Sequence, residues 1–198
     1  MLTTEINQYD YLITNKYYTM GQNEPNDVFR FVAYWLAFIQ LVNRDTIAPE
    51  HISETRRIKD YCKSKVDKLA EVIDFDADYM SIFKERPIVK GTERVGRIHR
   101  DNKKEYIEDC VLRELETRGD LVNSRDDISK IAQDFKNITN PYADMKIRIP
   151  SLFCSIYRIR CNLFHGSKSL IEERDANLIK ASADILGRCL GELIKITF

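Results

Sequence analysis

The sequence predicts an all-α protein, a bundle of helices packed side by side. Three observations carry that expectation. Apolar residues recur every three or four positions through most of the chain, which is the mark of amphipathic helices. Glycine and proline are scarce, 7 and 5 in 198 residues, so few turns are forced. Only Met145 to Ile149 alternates apolar and basic residues as a strand would, and it is short. The expected architecture is a bundle of five to seven helices in one domain, 1–198, long enough to bury a sizeable core.

The elements follow in order. The N-terminal stretch MLTTEINQYDYLITNKYY has an early acidic residue and no small-residue cleavage site, so it does not read as a secretory signal. Asp27 is placed to cap a first core helix, Val28 to Asn43, which is apolar on nearly all sides and suits the middle of a bundle. Its most apolar part, Val28 to Val42, is 15 residues long and contains Arg30 and Gln40. A bilayer-spanning helix needs about 20 apolar residues, so the expectation is a soluble, cytoplasmic protein without a membrane partner. A second helix is predicted from Ile52 to Ile73 by the spacing of Ile58, Cys62, Val66, Leu69 and Ile73. DFDADYMSIFKERP reads as a short helical turn ended by Pro87, and Ile88 to Asn102 as irregular.

A charged helix is expected from Lys103 to Arg118, stopped by Gly119. Ser124, with Asp127 three residues on, opens another, striped by Ile128, Ile131, Ala132, Phe135 and Ile138. TNPYAD reads as a loop. Pro150 suits the first turn of a helix ending near Phe164. The last helix runs from about Glu172 to Ile196. The core helices are thus about 26–43 and 150–196, with 44–149 as helical elaboration.

Charge is segregated although its total is zero, 31 basic against 31 acidic side chains. Residues 84–104 hold eight basic and three acidic groups, and residues 105–120 two basic and six acidic. A neutral total excludes a uniformly basic coat for nucleic acid but leaves room for a local basic groove. The two halves also suit pairing across a solvated face. Five cysteines without framework spacing argue for free thiols in a reducing compartment.

Several familiar chemistries drop out. Gly91 and Gly96 have P-loop spacing, but Arg97 and Ile98 stand where Lys and Ser or Thr belong. Cys154, Cys161 and His165 fall on one helical stripe, yet Cys154 is two turns from Cys161 and a fourth ligand is missing, so no metal and no cofactor is expected. The pair that remains is Arg160 and His165, inside YRIRCNLFHGSKS. Spacing alone does not select it, because Arg94 and His99 have the same separation and Arg158 also precedes His165. Context does: Leu152, Ile156, Ile159 and Leu163 define an apolar face, Arg160 lies at its edge, and Arg158 is expected to point to solvent. A guanidinium at the edge of a core is costly unless it is paired or opens onto a polar cleft.

IRCNLFHGSKS followed by RDANLIKASADIL resembles the C-terminal helix pair of the HEPN superfamily. Those α-helical domains carry an Arg, four to six residues and then a His, often with a polar residue soon after the Arg; here that residue is Asn162. FRFVAYWLAFIQLVN is similar to the aromatic first helix of some members. The likeness covers about residues 150 to 190 and 26 to 43. It implies a metal-independent endoribonuclease, with a toxin or an effector of antiviral defence as the biological role. Arg160 would bind phosphate, His165 would handle the proton and Asn162 would orient them. It also implies RNA as substrate, a homodimer whose two motifs meet, and an antitoxin or defence-system partner. Members that have lost the motif serve as binding or scaffold modules, so the alternative expectation is a non-catalytic helical module for a protein or nucleotide partner. Where some members have a polar or charged residue directly after the Arg, this chain has Cys161.

Overall fold

The computed structural model describes residues 2–46, 52–85, 88, 94–100, 103–108, 125–164 and 173–195. The fold is an all-α bundle. Among the described residues its elements are α1 (Leu2–Asn23), α2 (Asp27–Asp45), α3 (Glu54–Ser64), α4 (Val66–Val72), a single 3-10 turn at Asp78–Met80, α5 (Ser81–Glu85), strands β1 (Arg94–Arg100) and β2 (Lys103–Glu108), and helices α6 (Arg125–Thr139), α7 (Met145–Phe164) and α8 (Glu173–Lys195). No helix among them is long and apolar enough to cross a membrane.

Helix α7 occupies the centre. From Arg148 to Ile156 every residue is buried, so this stretch has no solvent face. It packs against α3 and α6, while α2 packs against α1 and α8. Aromatic rings join the two groups. Phe38 of α2 stacks on Phe153 of α7 with centroids 4.8 Å apart, and Trp35 meets Tyr157 at 5.9 Å. Tyr61 of α3 stands edge-on to Phe38 at 5.7 Å. These rings carry much of the buried apolar area.

Helix α1 extends the bundle beyond the elements expected from the sequence. It closes against α2 and α8 around Tyr34, whose ring sits between two glycines. A Cβ on Gly21 would run into Cε1 and Cδ1 of that ring, and one on Gly187 would lie 2.9 Å from Cε2. Only hydrogen at both positions lets three helices close on one aromatic ring.

Several boundaries differ from expectation. Asn26, not Asp27, caps α2: its Oδ1 accepts from the amides of Val28 at 3.0 Å and Phe29 at 3.3 Å. Asp27 then lies in the first turn and pairs with Arg30 at 2.8 Å. The predicted helix from Ile52 to Ile73 is split at Lys65, where φ −112° and ψ 13° end one helix and begin the next. Its apolar stripe is nevertheless buried throughout, at Ile58, Cys62, Val66, Leu69 and Ile73. Met145 to Ile149 is helical rather than extended, and Pro150 lies inside α7 rather than in its first turn. Asp144 starts this helix. Its backbone carbonyl accepts from Ile147 and Arg148, and its side chain from Lys146 at 2.7 Å. Pro150, lacking an N–H, withholds a donor from the carbonyl of Lys146, an exposed residue in the first turn of the helix.

The helix expected from Lys103 to Arg118 begins instead as β2. It pairs antiparallel with β1, with Arg100 opposite Lys103, Ile98 opposite Glu105 and Arg94 opposite Glu108. The pairing supplies backbone hydrogen bonds that a helical period in the charges cannot foretell. Residues 109–118, and with them the rest of that predicted helix and Gly119, lie outside the described residues, as does the Ser124 start.

Candidate functional site

The candidate site lies at the C-terminal end of α7, whose last described helical residue is Phe164. His165 lies outside the described residues. The two other members of the expected set can be placed. Arg160 is half-buried and Asn162 is 5% exposed. An amide so deeply buried is better disposed to orient neighbours than to meet a substrate phosphate.

The two arginines of the segment have different surroundings. Arg158, expected to face solvent, turns into the bundle and binds Asp134 of α6, Nη2 to Oδ2 at 2.6 Å. Asp134 is 1% exposed and also receives Lys59 of α3 at 3.5 Å. A buried carboxylate needs such partners to offset its lost hydration. The correction has a simple cause: α7 is packed on two sides, by α3 and α6, so a wheel drawn with one apolar face misplaces Arg158. Asp134 was visible as an acidic residue between Ile131 and Ile138, on the apolar side of its own helix.

Arg160 has no carboxylate partner among the described residues. Its Nη1 donates to the sulfur of Cys161 at 3.9 Å, and its Cζ lies 4.8 Å from the centre of the Phe164 ring. Its Nε is buried with no hydrogen-bond partner. The guanidinium is therefore held by a soft acceptor and a π face, neither of which neutralises its charge.

Tyr157, one turn before Cys161, joins this group. Burial, the Cys161 thiol and the Glu54 carboxylate together raise its hydroxyl pKa well above the ordinary tyrosine range. Glu54 is the first residue of α3. Sequence reasoning missed both Tyr157 and Glu54. Tyr157 sits one turn N-terminal to Cys161 and was legible as its neighbour; Glu54 is more than a hundred residues from the motif and carried no local signal.

The decoy pair Arg94 and His99 falls on β1. Five residues span roughly 16 Å along a strand but about 7.5 Å along a helix, so an extended chain draws that pair apart. The basic stretch 84–104 is in part this same hairpin, while Lys84 pairs with Asp76 at 3.3 Å. The thiols considered for metal differ in setting. Cys154 is buried, and its pKa is pushed up to about 12, chiefly by burial and then by Asp134, against the opposing charges of Lys59 and Arg158. A thiol held protonated that strongly is a poor metal ligand. No group of three or more His, Cys, Asp or Glu side chains among the described residues is arranged to hold a metal.

Comparison with known protein families, with curated proteins and with solved structures gives no match for this chain.

Proposed function

We propose that the protein is a metal-independent endoribonuclease of the HEPN type, acting as a homodimer on RNA, with a role as toxin or effector in antiviral defence. One observation carries the reading. Of two arginines on the same turn of α7, Arg158 is committed to buried Asp134, whereas Arg160 stays half-buried without a carboxylate among the described residues. A guanidinium with no carboxylate among the described residues, five positions before the motif histidine in sequence, is suited to a phosphate, which it can bind with two parallel hydrogen bonds.

The chemistry needs no metal. A histidine titrates near neutrality and can take the 2′-hydroxyl proton as that oxygen attacks phosphorus. The O2′–P bond forms and the P–O5′ bond breaks. A second, protonated histidine returns a proton to the departing 5′-oxygen. The products are a 2′,3′-cyclic phosphate and a 5′-hydroxyl. Two copies of His165 and Arg160, meeting across a two-fold axis, supply the base, the acid and the phosphate clamp, which gives dimerisation a chemical purpose.

The test is incubation of purified protein with mixed RNA in EDTA. Cleavage should persist and leave cyclic phosphate ends. Arg160→Ala and His165→Ala should each abolish it with melting curves close to the parent, and His99→Ala should retain most of it. Strict dependence on added magnesium, or full activity in His165→Ala, would refute the assignment. RNA binding without cleavage by the parent chain would favour the non-catalytic module instead.

A further inference from the structure

Phe164 is a large apolar side chain left 57% exposed at the C-terminal end of α7. It lies one helical turn beyond Arg160, whose Cζ stands 4.8 Å from its ring centre. Residues four apart share one side of a helix, so the contact follows from the spacing. With one ring face against the guanidinium, this exposure leaves the opposite face open to water. Other cation–ring contacts of the bundle are built differently. Lys65 stands over Tyr61 and Arg148 over Phe75, both rings of the hydrophobic core. Arg188 stands over Tyr79, which packs against that core. In those pairs the core takes up the ring; at Phe164 it does not.

The charge beside this ring is not neutralised. Arg160 Nη1 donates to the Cys161 sulfur at 3.9 Å, its Nε has no hydrogen-bond partner, and no carboxylate among the described residues pairs with it. A protein face laid over Phe164 would bury that charge as well, which is costly without a counter-ion. A nucleotide answers both needs at once. Its base offers a flat π face to the ring, and its phosphate offers oxygens to the guanidinium. A phenyl ring has no hydrogen-bonding group, so it meets a base by area rather than by edge pattern. The larger face of a purine then stacks better than that of a pyrimidine.

We infer that Phe164 is a base-stacking platform, whose open face receives the nucleobase flanking the phosphate held by Arg160, with purine preferred to pyrimidine. The inference rests on the ribonuclease reading for its substrate, but the stacking is measurable without cleavage. Ring and guanidinium share one turn of one helix, so base and phosphate are taken up in a fixed relation. Phe164 carries no titrating group. It therefore sets affinity and base preference and leaves the rate of the chemical step to other residues.

The experiment compares the full chain with Phe164→Ala, Phe164→Leu and Phe164→Trp, each checked for folding by a thermal melt. The probe is a single-stranded oligoadenylate carrying 2-aminopurine and 2′-O-methylated throughout, so that it cannot be cut. Fluorescence anisotropy gives its Kd, and quenching of 2-aminopurine on binding reports stacking. Phe164→Ala and Phe164→Leu should each weaken binding about tenfold and lose the quenching, because leucine keeps apolar bulk but has no π face. Phe164→Trp should keep both. With cleavable RNA, Phe164→Ala should raise KM about tenfold with kcat within about twofold. Parent-like binding and quenching in Phe164→Leu would overturn the proposal. Sedimentation showing Phe164→Ala monomeric where the parent is dimeric would, in that case, assign the ring to a contact with a second copy. Quenching by a chain that cuts no RNA would sustain the platform and refute the ribonuclease reading. RNA cleavage unaltered in Phe164→Leu would refute the platform and leave that reading standing.

Discussion

Arg158→Ala and Arg160→Ala, two positions apart on one helix, should fail in opposite ways. Arg158 binds Asp134 at 2.6 Å, and Asp134 is 1% exposed. Removing one partner of a buried pair typically costs about 3–5 kcal/mol. Here Lys59 still reaches Asp134 at 3.5 Å, and the Arg158 side chain is itself 18% exposed. The expected loss is therefore smaller, about 2–3 kcal/mol. For a chain of this size that lowers the melting temperature by roughly 4–12 °C. Arg160→Ala forfeits a cation–π contact to a ring that is 57% exposed, which is worth about 0.5–1 kcal/mol. Thermal and urea unfolding followed by circular dichroism should separate the two, with Arg158→Ala the less stable and Arg160→Ala the less active. A double-mutant cycle of Asp134→Ala with Arg158→Ala should return about 1–3 kcal/mol of coupling. Equal melting temperatures for the two single variants, or no coupling in the cycle, would refute the division of labour between the arginines.

Three further outcomes follow from the same structure. Gly21→Ala should destabilise by about 1–3 kcal/mol through overpacking against Tyr34, with Gly187→Ala milder because its Cβ meets the ring less closely; urea midpoints measure both. Stability should fall as pH rises above about 8.5, since burial raises the thiol pKa of Cys62, Cys154 and Cys189. The folded chain keeps protons that the unfolded chain releases, so stability is full below that pH and is lost as pH climbs through the range up to the folded values; a urea midpoint at pH 10 equal to or above that at pH 7.5, in reductant, contradicts this. Finally, if the cleavage site is composite, mixing Arg160→Ala chains with His165→Ala chains should restore part of the lost activity, whereas sites complete within one chain would restore none.

Local sequence determined the helical bundle and much of its core. The stripe Ile58, Cys62, Val66, Leu69, Ile73 is buried as its period requires, even across the break at Lys65. Tyr34, Trp35 and Phe38 are core residues, as an aromatic helix apolar on most sides should supply. These features are legible because a helical period and a hydrophobic face are properties of neighbouring residues. What only the tertiary structure decided involves partners far apart in sequence. Arg158 turns inward because Asp134, on another helix, is buried beside it. Lys103–Glu108 is a strand because β1 offers it a ladder of backbone bonds. Arg160, two positions beyond Arg158 on the same helix, has no carboxylate partner among the described residues, a difference that the helix's own sequence does not reveal. Burial and pairing set the energy of a charge, and neither is a property of the residue's own neighbourhood in the chain.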